Sequence, residues 1–173
     1  MTTYLVDANI LIAAHNTYYS LTRVPEFWAW LLHHAEAGRI KMPAETMDEI
    51  KEGTGDAEKD ELFAWLQGDG VKAALLLNEE VDLNLVQEVV ALGYAPDLNE
   101  VELVKIGRDP FLIAYGRADP ADRCVVSNEK SAPAALRSKR KVPDICGQFG
   151  VPCCDVFGLL GALNFSTAWK PGA

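Results

Sequence analysis

Basic residues are scarce in this chain. Sixteen Lys and Arg stand against 25 Asp and Glu, giving a net charge of −9. That balance excludes a protein that holds nucleic acid through a broadly positive surface. The one local exception is the run Arg137-Ser138-Lys139-Arg140-Lys141, the candidate patch if RNA is a partner. Long apolar runs are also missing: none reaches the ~18 residues that span a bilayer. The first apolar run is broken by Asp7, with no basic stretch before it and no small-residue cleavage site after it. No signal peptide is expected, and the chain is expected to be cytoplasmic, with no membrane partner. Histidine is nearly absent, at positions 15, 33 and 34 only. The four cysteines (124, 146, 153 and 154) include an adjacent pair that fits no common zinc spacing, so they read as buried reduced thiols.

What is present is a globular composition, 49% hydrophobic over 173 residues. This suits a single domain over residues 1–165 with a loose tail at 166–173. A strand is expected at 3–6 and a short helix from Asn9 to about His15. The segment 20–39 reads as a helix with Pro25 in its first turn and Gly38 as its stop. "IKMP" (40–43) reads as a short strand, and "AETMDEIKEG" (44–53) as a helix stopped by Gly53. Amphipathic helices are expected at 56–70 and 81–94. The stretch 95–107 is ambiguous, with a loop at its start. "DPFLIAYGRA" (109–118) opens with Asp109 as N-cap and Pro110 at the first helical position. "CVVS" (124–127) is a strand, "VPDICGQFG" (142–150) a helix, and "VPCCDVF" (151–157) a strand leading into a last short helix. Strands alternating with helices predict an α/β sandwich on a parallel sheet. His33 and His34 are expected at a partly exposed helix surface. Trp28, Trp30 and Trp65 are expected in the core or at a dimer face. The helix "PEFWAWLLHH" is apolar on more than one side, which suggests a homodimer.

The acidic residues raise a sharper question. Tyr4-Leu5-Val6 has the make-up of a buried strand, yet it ends on Asp7, with Asn9 two residues on. A buried carboxylate is expensive unless something compensates it. In open α/β sheets, sites form at the carboxyl ends of the strands. Asp7, Glu49, Asp109, Glu129 and Asp144 all fall at edges of elements that a parallel sheet can gather there. Carboxylates crowded into one pocket are tolerated only if protonated or bridged by a cation. A ligand set made only of oxygen favours Mg²⁺ or Mn²⁺ over zinc. Such a site activates water and stabilises charge as a phosphodiester is attacked. Asn9 would orient Asp7, and Ser127 would hold a water or a phosphate.

These motifs resemble those of the PIN domain, the metal-dependent ribonuclease fold of many bacterial toxins. "VDANILI" matches its opening strand and Asp-x-Asn/Ser. "MDEIKEG" supplies the helical Glu followed by an aliphatic residue, Glu49-Ile50. "DPFLIAYGRA" supplies the Asp that opens an apolar helix, Asp109. The fourth element departs: "VVSNEK" has Ser127 and Glu129 where the family has Thr and Asp. Asp144 in "KVPDIC" is the alternative last ligand. The resemblance covers residues 3 to about 160. It implies a three-layer α/β sandwich, with a central parallel sheet of four or five strands and helices on both faces. It also implies endoribonuclease activity with Mg²⁺ or Mn²⁺ bound by Asp7, Glu49, Asp109 and Glu129 or Asp144, leaving a 5′-phosphate. Dimerisation and often a cognate antitoxin that blocks the site are implied as well.

Two other readings compete. One is a PIN-like RNA- or protein-binding regulatory module without catalysis, favoured by Glu129 in place of Asp and by the negative charge. The other is an aspartyl-phosphate enzyme, which wants Asp-x-Asp where this chain has Asn9.

Overall fold

A computed structural model of the chain describes residues 1–51 and 60–171. Its elements run β1 (Thr3–Val6), α1 (Ala8–Ala13), α2 (Pro25–Glu36), β2 (Ile40–Lys41), α3 (Ala44–Lys51), α4 (Glu61–Leu66), α5 (Val71–Leu75), α6 (Leu83–Glu88), α7 (Glu100–Ile106), α8 (Asp109–Ala118), β3 (Arg123–Val126), α9 (Val142–Phe149), β4 (Cys153–Cys154) and α10 (Val156–Ala162). Wide π-helical turns extend α1 over Ala14–Tyr18 and α6 over Val89–Tyr94. The sheet is four-stranded and wholly parallel, in the order β2-β1-β3-β4. A single parallel bridge, Met42 to Leu76, extends its β2 edge. No helix among the described residues is long and apolar enough to cross a membrane.

Strand alternation builds two cores from one sheet. Successive side chains point to opposite faces. Val6 and Val126 enter a cluster with residues of α1, α2, α3, α4, α5 and α10. Their neighbours Leu5 and Val125 enter the other, with residues of α8 and α9 and the turn after α6. Both faces are therefore covered by helices, which makes a three-layer α/β sandwich. The indoles of α2 are core: Trp30 is fully buried and its Nε1 donates to the Leu163 carbonyl at 3.3 Å. Trp28 donates to the Tyr19 carbonyl at 2.7 Å. Trp28 and Trp30 therefore lie in the core, the first of the two places expected for them.

Several boundaries differ from the sequence expectation. The helix read over 20–39 begins only at Pro25. Asp109 is the first helical residue of α8 and Arg108 takes the N-cap position. The two short helices α5 and α7 were not expected. The second carries a capping box, with Asn99 Oδ1 accepting from the Glu102 N–H at 2.9 Å and Glu102 reaching back to the Asn99 N–H at 3.1 Å. Asn99 stands in the stretch whose start reads as a loop, because the residue types that favour an N-cap also favour turns. His34 is buried rather than exposed, edge-on to Trp30 with ring centroids 5.1 Å apart. Within the tail, Trp169 packs beside His33, with ring centroids 5.3 Å apart. The expected Gly53 stop and the first turn of the helix read over 56–70 lie outside the described residues.

Candidate functional site

A helix that follows or precedes a parallel strand runs antiparallel to it, so α1, α3, α8 and α9 all begin at the carboxyl edge of the sheet. A cleft of about 520 Å³ opens there. Asp7, Asn9, Glu49, Asp109, Ser127 and Glu129 line it. Asp7 sits between β1 and α1 in extended backbone, 8% exposed. The Asn9 amide donates to its Oδ2 at 3.3 Å, the orienting contact expected of that residue. Burial pushes the Asp7 carboxyl above the usual carboxylate range, against the pull of the Asn9 bond. Asp109 is pushed up to about 8, first by burial and then by Asp7, Glu129 and Glu49, with Lys141 opposing. Burial, with mutual repulsion second, is thus what raises the acids of the cleft.

Glu129 is committed elsewhere. Its Oε2 accepts from the Val142 N–H at 2.7 Å and its Oε1 from Lys141 Nζ at 3.2 Å. It thereby caps α9 from outside, where the helix dipole favours a negative charge. Ser127 is 4% exposed, and its hydroxyl accepts from the Glu129 N–H at 3.2 Å. Its hydroxyl shapes the turn that carries Glu129. Among the described residues, no three of His, Cys, Asp and Glu are drawn together tightly enough to hold a metal ion. The donor set of Asp7, Glu49 and Asp109 still fits a hard divalent cation in kind. It is oxygen only, and a positive charge would offset the burial and the repulsion that together raise Asp109.

Asp144 is not part of the cleft lining. Its carboxylate accepts from the Ser131 hydroxyl at 2.5 Å and the Ala132 N–H at 2.8 Å, and these bonds hold it below the usual range. It pins the loop after β3 to α9.

The basic run serves mainly as internal ties. Arg137 forks between Asp97 and Glu102, at 2.7 and 2.8 Å. Arg140 binds the Gly93 carbonyl and Gln148 Oε1, and Lys141 is paired with Glu129. Lys139 alone of the four is exposed as a whole residue. The cations that line the cleft are Lys105 and Arg108, which the sequence reading missed. Arg108 donates to the Glu45 carbonyl at 2.7 Å, bracing α8 against α3. The only sequence signal for them was adjacency to Asp109.

No disulfide links the four cysteines, which fall in two pairs, one on each face of the β3–β4 edge. Cys124 and Cys154 have sulfurs 3.7 Å apart, and Cys146 on α9 meets Cys153.

No curated protein and no solved structure matches the chain. Over residues 4–167 the sequence matches the family described as Domain of unknown function (DUF4411), and the chain belongs to that family.

Proposed function

We propose that the protein is a metal-dependent endoribonuclease of PIN type, acting on RNA phosphodiesters with Mg²⁺ or Mn²⁺. The observation that carries this reading is the cleft lined by Asp7, Glu49, Asp109 and Glu129, where burial first and then the neighbouring acids push Asp109 up to about 8. Asp7, Glu49 and Asp109 would hold the cation, with Glu129 joining on release from Lys141 and α9. A cation held there supplies charge that activates water and stabilises the phosphodiester under attack. The chain's own residues do the rest. Asn9 fixes the Asp7 carboxylate, Ser127 sets the turn that carries Glu129, and Lys105 offers a phosphate a positive charge in the cleft. A toxin role with a cognate antitoxin covering this cleft belongs to the same proposal, as does a homodimer.

The test is Mn²⁺ titration by calorimetry into the wild type and Asp7→Asn, followed by RNA cleavage assays. Asp7→Asn is expected to keep its fold and lose metal affinity and cleavage by more than about 100-fold, since even residues that only support a ligand cost 10- to 100-fold. An Asp7→Asn protein that cleaves RNA as well as the wild type would sink the reading. A second reading, a binding or regulatory module without catalysis, is favoured by the engagement of Glu129 with Lys141 and Val142. Robust cleavage in millimolar Mn²⁺ would eliminate it.

A further inference from the structure

Beside the cleft stands a tyrosine that neither the carboxylates nor the fold accounts for. Tyr94 is 6% exposed, and its hydroxyl is buried with no hydrogen-bond partner. Buried hydroxyls are almost always paired, so an orphan calls for a reason. The ring belongs to the cluster that holds Ile106, Leu112, Val142 and Ile145, which come from α7, α8 and α9. Asp109 opens α8, and Glu129 caps α9. Asp109 and then Glu129 are the carboxylates that act most strongly on the hydroxyl, with Arg140 opposing.

The backbone there is also unusual. Tyr94 ends the π-helical turn Val89–Tyr94, and π turns are rare and concentrate at functional sites. Gly93 before it leaves no room for a side chain: a Cβ would stand 2.9 Å from Ile145 Cγ2 and 3.1 Å from Phe149 Cε2. Its carbonyl is held by Arg140. The turn therefore seats Tyr94 tightly against α9, while its hydroxyl stays unspent.

We infer that Tyr94 is a positioning residue for the cleft, with a hydroxyl that donates to the Asp109 carboxylate, directly or through one buried water, when a cation draws the acids together. The inference rests on the metal reading above. It gives the hydroxyl its missing acceptor and gives Asp109 a donor that holds its orientation, as partners behind metal-binding carboxylates do.

Tyr94→Phe removes only the hydroxyl. Mn²⁺ would be titrated by calorimetry into the wild type and this variant, with thermal melts of both in the absence of metal. The expected result is about tenfold weaker Mn²⁺ binding by Tyr94→Phe, with a metal-free melting temperature at or above that of the wild type. Equal affinity would overturn the role of Tyr94 and leave the metal site standing. A metal-free variant that melts well below the wild type would show the hydroxyl already engaged in the fold, and would overturn it as well. A wild type that binds no Mn²⁺ would overturn the metal reading and this inference together.

Discussion

Asp109 makes the most direct prediction at the residue scale. Its ordinary value is 3.8 and the folded protein raises it to about 8. A carboxyl raised on folding favours the folded state while it is protonated. Its contribution is fully present below about pH 4 and is lost as pH rises towards 8. Metal-free protein should therefore lose melting temperature across that window, and Asp109→Asn should flatten the slope. Cation binding must displace the same proton, so Mn²⁺ affinity should climb with pH and level off above about 8. Calorimetry in buffers of different ionisation enthalpy checks the proton release. Asp144 predicts the opposite pattern. Its bonds to Ser131 and Ala132 tie a loop and leave the cleft alone. Asp144→Asn should lower the melting temperature slightly and leave Mn²⁺ binding unchanged. The sequence leaves open whether Glu129 or, failing it, Asp144 is the last ligand. One follows β3 and the other opens α9, and spacing cannot tell which of them faces the cleft.

Close packing of α8 on the sheet sets where Asp109 stands at the scale of elements. A Cβ at Gly116 would come within 2.7 Å of Val125 Cγ2 and 2.8 Å of Val151 Cγ1. Gly116→Ala should therefore cost about 1–3 kcal/mol by chemical denaturation, the usual range for overpacking. The lifted helix should weaken Mn²⁺ binding as well, because Asp109 is its first residue. Helix α7 forms the other wall of the cleft through Val104, Lys105 and Ile106. The Arg137 fork, which holds Glu102 down to about 2, clamps it. The strands, α2, α8 and α9 were readable because each has a clear apolar period or a Pro start. Helix α7 was not. Val101, Leu103 and Val104 are exposed, so its residues show no buried stripe, and it is held by its capping box and the Arg137 ties.

Across the whole molecule, one sheet serves two cores, so neither face should unfold alone. Leu5→Ala on one face and Leu31→Ala on the other should each cost about 2–5 kcal/mol. Both should move the same single denaturation transition, followed by circular dichroism and tryptophan fluorescence together. Separate transitions for the two probes would contradict a shared core. The sequence by itself determined the α/β alternation, the parallel sheet and the place of Asp7, Glu49, Asp109 and Glu129 near strand ends, because these follow from local periodicity and chain order. Only the tertiary structure decided which charges meet. It engaged Arg137, Arg140 and Lys141 in ties to other elements, brought Lys105 and Arg108 to the cleft, bound Asp144 on α9 to the loop after β3 and buried the Tyr94 hydroxyl near the acids. Those outcomes depend on side-chain direction across elements far apart in the chain, and a linear pattern of residue types carries no record of direction.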